Sequence, residues 1–447
     1  MGACIADQRT RAIRDSASKV PILNLIFTLF SCDPDMQNNI SDDDGVTLPG
    51  WSLMAVCSHW HNIALSCTAL WRKIQLSAYP SNNGTEEGNN LARLAAPLKW
   101  CLDHAGETEP LEISFRADMR ELDTPVPEPE FMGILFAQSA RWGRLTLNIH
   151  FNDLERFPSF AALKNCAMVS LKSLEFYVHH DPNIKVDVFC NAPQLTELTL
   201  RTLPTVEMLP WGQIKTLKLC IEFAEDYDIF GALIFCPSLE SLSYVFSYYY
   251  KLGTSEMPRQ SSETIHSLSV LIERGHYVPE TLSLLMDAAR FPALQEMSIN
   301  YQGSELHIDI PWPRHKVTSF LLQSGCSLTT LEIENVVISN DDLVALLVRT
   351  PELRRFNFYE TEIKKDSKAP TSKHQHITMS FITCLHAYGD IEDGDPDAFT
   401  NPLVPKLEHL SLRLFIDVPG VVAITVKLKV LGRTLKEELH LVCGTEY

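Results

Sequence analysis

A short apolar pattern, L-x-x-L-x-L, recurs through the chain from about residue 110 and is often preceded by proline. Clear copies with a leading proline occupy residues 193–200, 237–244, 292–299, 351–358 and 405–412. The first apolar positions of the copies are 142, 171, 195, 214, 239, 265, 294, 328, 353 and 407, so most gaps are 19 to 34 residues and one is 54. A chain with such a period is expected to fold as a row of similar units, because no single unit can bury its apolar face alone.

The spacing lies around the 20–29 residues typical of leucine-rich repeats, in which each unit supplies a short strand and a returning helix or turn. We therefore predict an α/β chain in which residues 110–415 form an irregular leucine-rich-repeat-like solenoid with a parallel sheet on its concave face. One returning helix is predicted over 339–349, where Ser339 can cap the first turn and Leu343 begins an apolar stripe. The asparagine or cysteine ladder of regular repeats is missing, which indicates irregular curvature.

The variable positions inside the pattern are predicted to face outward on the concave side, where they could hold another protein. Their chemistry is mixed, so the sequence does not indicate the kind of target. The candidate target-binding residues are Thr196, Glu197, Glu240, Ser241, Gln295, Glu296, Thr329, Thr330, Glu332, Arg354, Arg355 and Asn357.

Residues 18–76 are predicted to form a separate helical module. Residues 20–30 fit a short helix that is apolar on both faces, residues 31–50 are expected to be a flexible acidic loop, and helical spacing resumes over 51–65. A module of roughly 50 ordered residues buries too little surface to cover all these apolar groups. Either some of them contact a partner, or all of them pack against the C-terminal region.

Residues 56–74, V-C-S-H-W-H-N-I-A-L-S-C-T-A-L-W-R-K-I, resemble the second half of an F-box. Phrases in the repeat region, among them residues 136–145, 188–195 and 320–329, also resemble the F-box proteins of mushroom-forming fungi. The resemblance implies three short helices that bind a Skp-type adaptor and, through it, a cullin. The adaptor-binding positions that it implies are Pro21, Ile22, Leu23, Ile26, Phe27, Val56, Cys57, Trp60, Leu70 and Trp71.

On this resemblance the chain is a substrate receptor of a ubiquitin ligase, docked by its F-box and holding an unidentified target protein with its repeats. The first helix lacks the two residues, one of them acidic, that such F-boxes usually place between Pro21 and Ile22. The alternative is therefore a leucine-rich-repeat scaffold whose degenerate F-box does not dock.

Residues 1–17 are expected to be disordered, 77–109 to be a linker with a connecting helix, and 416–447 to be a cap or tail.

The remaining features argue against other classes of function. A net charge of −18 disfavours nucleic acid as a partner. The sequence contains no apolar run long enough to predict a membrane span, and its first twenty residues do not predict a secretory signal. The 12 cysteines stand singly, which suits a reducing compartment, the cytoplasm or the nucleus. No metal-ligand spacing, nucleotide-binding loop or serine elbow occurs, so we expect neither a cofactor nor catalysis, although a Cys–His pair formed by the fold stays open.

Overall fold

The computed structural model describes residues 22–33, 36–42, 44–78, 90–117, 128–149, 157–178, 187–201, 209–221, 232–247, 260–273, 278–302, 312–336, 338–359, 381, 403–414, 424–431 and 434–440. The chain divides into two compact units, Met1–Trp211 and Gly212–Tyr447. Each unit is a mixed α/β structure built on an open, mostly parallel sheet. The predicted α/β class with a parallel sheet is therefore confirmed.

The first unit begins with a helix at residues 22–32 (α1). Its strands are β1 (Asn38–Ser41), β2 (Val46–Thr47), β3 (Lys73–Ala78), β4 (Leu111–Ala117), β5 (Trp142–Ile149), β6 (Ser173–Val178) and β7 (Glu197–Leu200). Its further α-helices are α2 (Pro49–Met54), α3 (Ser58–Ser66), α4 (Asn90–Arg93), α5 (Ala95–His104), α6 (Glu130–Phe136) and α7 (Pro158–Ala162). Single 3₁₀ turns lie at Thr68–Leu70, Ser139–Arg141, Leu163–Asn165 and Asp187–Phe189.

The sheet of the first unit has the order β2-β1-β3-β4-β5-β6-β7, and only β2 is antiparallel to its neighbour. The two apolar positions of each repeat align across the strands into buried rows. One row joins Ile74, Ile113, Leu145, Leu174 and Leu198, and the next joins Leu76, Phe115, Leu147, Phe176 and Leu200. Because side chains alternate across a strand, the positions between them form a polar face on the other side.

The second unit contains β8 (Thr216–Ile221), β9 (Ser241–Phe246), β10 (Gln260–Ser261), β11 (Ser267–Ile272), β12 (Ala289–Arg290), β13 (Glu296–Tyr301), β14 (Thr330–Glu334), β15 (Arg355–Tyr359), β16 (His409–Leu414), β17 (Ile424–Leu431) and β18 (Thr434–His440). Its α-helices are α8 (Ala232–Phe235), α9 (Val278–Ala288), α10 (Arg314–Ser324) and α11 (Asn340–Val348). A 3₁₀ turn, Trp211–Gln213, lies where the two units meet in the sequence.

The sheet of the second unit has the order β18-β17-β16-β15-β14-β13-β11-β9-β8. The strands from β8 to β16 are parallel, and β17 and β18 continue the sheet antiparallel. Buried apolar rows again run across the strands, one of them through Leu217, Leu242, Leu268, Met297, Leu331, Phe356 and Leu410. Strands β10 and β12 form a separate two-stranded parallel pair.

Several predicted segments have a different local structure. The expectation of a flexible loop over residues 31–50 is wrong, because β1, β2 and the start of α2 lie there. The sheet consequently starts at Asn38 instead of near residue 110, and strands β1 and β3 of the predicted module pair in the same sheet as β4. Helix α5 lies in the segment predicted to contain a connecting helix, and β17 and β18 lie in the predicted cap or tail. Residues 1–17 lie outside the described residues.

Candidate protein-interaction surfaces

Helix α1 turns one apolar stripe outward and another inward. Ile22, Leu25, Ile26 and Leu29 are 60%, 59%, 48% and 62% exposed. Phe27, on the opposite side, is buried, and its ring meets the ring of Trp60 edge-on with 5.3 Å between the centroids. The helix is thus fixed to α3 through Phe27 while four large aliphatic side chains face the solvent.

Further apolar groups are exposed in and beside the next helices. Trp51 of α2 is 44% exposed, and Val56, between α2 and α3, is 59% exposed. Cys57 is also exposed, whereas Trp60 and Leu23 are half-buried. We call Ile22, Leu25, Ile26, Leu29, Trp51 and Val56 the apolar patch.

Three of the residues that the motif implied as adaptor contacts are buried in the core of the first unit. Phe27, Leu70 and Trp71 are buried, and Trp71 has no exposed surface. The Trp71 indole nitrogen donates a hydrogen bond of 2.9 Å to the Ala64 carbonyl oxygen, and its ring lies 5.6 Å from that of His104. In this conformation these three side chains stabilise the fold, so a partner can contact only Ile22, Leu23, Ile26, Val56, Cys57 and Trp60 of the implied set. Pro21 lies outside the described residues.

Leu25, Leu29 and Trp51 belong to the patch although the motif did not point to them. A signal for the first two was present in the sequence, since Ile22, Leu25, Ile26 and Leu29 follow the i, i+3, i+4, i+7 spacing of one helix face. The motif mixes residues from both faces of α1, and periodicity alone does not say which face is covered.

A depression of about 480 Å³ borders this region, with Phe30 and Leu53 from α1 and α2 on one side and Asn39 and Gln75 from the sheet on another. Asn38, in β1, is buried, and its side-chain amide donates to the carbonyl oxygens of Leu70 and Lys73, at 2.9 Å each. The first strand is therefore fastened to the turn that holds Trp71.

The predicted target-binding residues all lie exposed or half-buried, and the structure arranges those of the second unit in two kinds of row. Glu296, Thr330 and Arg355 are register partners on adjacent strands, with Glu332 and Asn357 paired in the next row. Gln295, Thr329 and Arg354 precede these strands and are joined by successive backbone hydrogen bonds of 2.8 Å. Glu240 and Ser241 lie at the start of β9.

Thr196 and Glu197 lie at the start of β7, in the first unit. The Thr196 amide donates a hydrogen bond of 3.0 Å to the Lys172 carbonyl oxygen, which fixes the start of the strand. The side chain of Glu197 lies 3.7 Å from that of Arg144, and both are largely exposed. The remaining predicted positions belong to the second unit.

Carboxylates in the second sheet are partly buried near β14. Glu334 accepts a hydrogen bond from the Asn300 side-chain amide. Burial, reinforced by the neighbouring Glu332 carboxylate and opposed by the Arg413 guanidinium, raises the pKa of Glu334 above its ordinary value. The sheet therefore offers here a carboxyl that is harder to ionise than an exposed one.

Two of the buried cysteines are poor nucleophiles. Burial raises the pKa of the Cys101 thiol to about 12 and that of Cys236 to about 12, so neither supplies a thiolate near neutral pH. No group of three or more His, Cys, Asp or Glu side chains in the described ranges could hold a metal ion. Within the same ranges, no helix has both the length and the apolar character of a membrane span.

The first unit thus combines exposed aliphatic side chains with a segment of F-box-like sequence, and the parallel strands of each unit present polar side chains. Comparison of the chain with protein-family models and with curated proteins found no match to either.

Proposed function

We propose that this chain is the substrate-recognition subunit of a Skp–cullin–F-box ubiquitin ligase, and that it has no catalytic activity of its own. In this proposal residues 18–76 are an F-box-like module that binds a Skp-type adaptor, and the repeats form an irregular leucine-rich-repeat-like solenoid that binds a target protein. Ubiquitin transfer belongs to other subunits, and this chain raises the effective concentration of the target near them.

The observation that carries the proposal is the outward stripe of α1. Ile22, Leu25, Ile26 and Leu29 expose between 48% and 62% of their surfaces on consecutive turns of one helix. Burying an aliphatic side chain of this size contributes about 1.5–3 kcal/mol, which makes such a stripe suited to packing against the helix of another protein. Two of the four, Ile22 and Ile26, are positions that the F-box resemblance assigns to adaptor binding.

The polar sheet faces support the second half of the proposal. Parallel strands place register partners such as Glu296, Thr330 and Arg355 side by side, which yields a continuous surface of polar side chains. Surfaces of this kind suit protein recognition, because neighbouring side chains contact consecutive residues of an extended target. We place the receptor in the cytoplasm or nucleus, where cysteines that stand singly in the sequence remain reduced.

The test is binding of the full chain to a purified fungal Skp-type adaptor, measured by calorimetry and by pull-down. The double substitution Ile22→Ser/Ile26→Ser should weaken binding by roughly 30-fold or more, since truncating an interface anchor costs about 2 kcal/mol. Leu322→Ser/Val348→Ser is the matched control, because Leu322 and Val348 are also exposed aliphatic residues, at 58% and 55%, on helices of the second unit. Equal binding by the two double variants would overturn the proposal, as would no binding by the unaltered chain.

The alternative, a repeat scaffold with a non-docking F-box, is favoured by one observation. Phe27, Leu70 and Trp71, which the motif assigns to adaptor contacts, are buried in the chain itself. A variant with two additional residues, one of them acidic, between Pro21 and Ile22 distinguishes the two proposed functions experimentally. If the chain is a scaffold that does not dock, the insertion should create adaptor binding where none existed. If the chain is already an adaptor-binding receptor, the insertion should change its affinity for the adaptor little.

A further inference from the structure

The polar face of the first sheet has a cationic row near the carboxyl ends of its strands. Register places Ser77, Arg116, Asn148 and Tyr177 side by side on β3, β4, β5 and β6. Arg201 follows β7, and its guanidinium carbon lies 4.1 Å from the centre of the Tyr177 ring. The row therefore carries two arginines and two neutral hydrogen-bonding groups next to Ser77, and no carboxylate.

Apart from the buried Ser77, this row lines a depression of about 430 Å³ that lies within the first unit. Four cationic side chains, Lys73, Arg116, Arg144 and Arg201, contribute to the lining, against two carboxylates, Glu112 and Glu175. The whole chain carries a net charge of −18. A locally positive surface on an acidic protein attracts an anionic ligand to one place while the remaining surface repels it.

One of the two carboxylates that line the depression, Glu175, is hydrogen-bonded to neighbouring strand residues. The Thr146 hydroxyl donates a 3.1 Å hydrogen bond to one Glu175 oxygen, and the Tyr177 hydroxyl donates to the other. Both Glu175 oxygens thus accept hydrogen bonds from neutral groups of the sheet itself. Arg144 contacts Glu197 at 3.7 Å, and an exposed ion pair of this kind contributes little to stability and exchanges readily for a ligand carboxylate.

We propose that this depression binds an extended, acidic segment of the target protein, one rich in aspartate and glutamate. Strands lie about 4.8 Å apart and an extended peptide rises about 3.3 Å per residue, so about eight residues are enough to cross from β3 to β7. Arginine suits this role because its planar guanidinium can hold a carboxylate through two parallel hydrogen bonds. The inference rests on the proposed receptor function and names the chemical class of its target.

The experiment uses the full chain without any adaptor, so its result is independent of the docking test. A fluorescent peptide of about eight residues, alternating glutamate and serine, is titrated and its anisotropy followed at low and high salt. A peptide with glutamine in place of glutamate is the uncharged control. The acidic peptide should bind at least about tenfold more tightly than its control and should lose affinity as salt is added, since the attraction is electrostatic.

Matched variants assign the binding to the depression. Arg116→Gln/Arg144→Gln should weaken binding of the acidic peptide by about tenfold, because two exposed cation–carboxylate contacts are lost. Arg93→Gln/Arg349→Gln makes the same change in charge at two exposed arginines outside the depression and should bind like the unaltered chain. Glu112→Gln removes a carboxylate from the lining and should tighten binding.

The proposal is overturned if the glutamine peptide binds as well as the acidic one, or if Arg116→Gln/Arg144→Gln binds no more weakly than Arg93→Gln/Arg349→Gln. It is also overturned if a phosphoserine peptide that lacks acidic residues binds while the glutamate peptide does not, because the depression would then select phosphate. If the chain binds the adaptor but not the acidic peptide, the proposed receptor function is retained and only the proposal of an acidic target segment is rejected.

Discussion

Gly50 of α2 lies against the face of the buried Trp71 indole, so closely that a β-carbon at residue 50 would come within 2.5 Å of the ring atom Cη2. Trp71 has no exposed surface and its indole nitrogen is bonded to Ala64, so the ring cannot move aside without breaking that bond. The glycine is what allows α2 to approach the tryptophan.

Gly50→Ala should therefore destabilise the first unit, although alanine is the better helix former. Overpacking of this kind costs about 1–3 kcal/mol, and urea unfolding followed by tryptophan fluorescence should show a lower midpoint. Gly133→Ala in α6 is the matched control, because a β-carbon there would lie 3.7 Å from the Ser159 hydroxyl oxygen, an ordinary contact. That control should be neutral or stabilise by up to about 1 kcal/mol. Equal midpoints for the two variants would contradict the close contact.

Asn38→Ala should destabilise the attachment of β1 to the sheet. The asparagine amide donates to the carbonyl oxygens of Leu70 and Lys73, and its removal leaves buried acceptors short of a donor, at a cost of about 1–3 kcal/mol. Hydrogen exchange should become faster for the amides of residues 38–41 and 73–78. Asn39→Ala is the comparison, since Asn39 is half-buried on the same strand, and it should have the smaller effect.

Ser339→Ala should destabilise helix α11. The Ser339 hydroxyl oxygen accepts a 3.1 Å hydrogen bond from the Asp342 amide, which is a side-chain N-cap, and loss of such a cap costs about 1 kcal/mol. The second unit should unfold at lower urea concentration. Ser327→Ala, at an exposed position before β14, should leave the midpoint unchanged, and an equal loss there would show that the cap is not the cause.

Glu334→Gln should stabilise the second unit at neutral pH and much less in acid. The pKa of Glu334 is raised in the folded protein, chiefly by burial, so the neutral carboxyl favours folding. That contribution is complete below the unfolded-state pKa and is lost as the pH rises through the folded-state pKa. Glutamine does not titrate, so in urea unfolding the stability of the variant relative to the unaltered protein should increase as the pH rises above the unfolded-state pKa of about 4.3.

The Arg413 guanidinium opposes this rise in pKa. On an Arg413→Gln background the pKa of Glu334 should rise further, and the gain from Glu334→Gln at neutral pH should be larger. A stability difference between Glu334→Gln and the unaltered protein that stays constant with pH would contradict the assignment.

The repeated strands could be predicted from the sequence because the two apolar positions of L-x-L occupy two buried rows. Leu331 and Ile333, for example, align with Phe356 and Phe358 on the next strand. The cap at Ser339 was also predictable, since a polar residue stands before two acids and an apolar stripe. Both signals are local in the sequence, and each predicts the secondary structure of a single segment.

The other features depend on contacts distant in the sequence. Strand β1 reads Asn-Asn-Ile-Ser, too short and polar to indicate a strand, and it forms because β3 offers a free edge to pair with. Trp71 lies in the F-box-like segment, where a resemblance assigns it outward, but packing beside Gly50 and His104 turns it inward. The apolar patch was predicted only in part for the same reason. The contact between Phe27 and Trp60 determines which apolar face of α1 is buried, and that contact is not evident from the sequence of the helix.

Strand β2, only two residues long and antiparallel to β1, ends the first sheet at its amino-terminal side. So short a terminal strand leaves few unpaired backbone groups for a second molecule to recruit. A shortened protein that starts after residue 47, such as one made to isolate the repeats, would lose both β1 and β2 and uncover the full length of Lys73–Ala78. Such a fragment should self-associate edge to edge, because the edge that β1 and β2 cover in the full chain would be exposed.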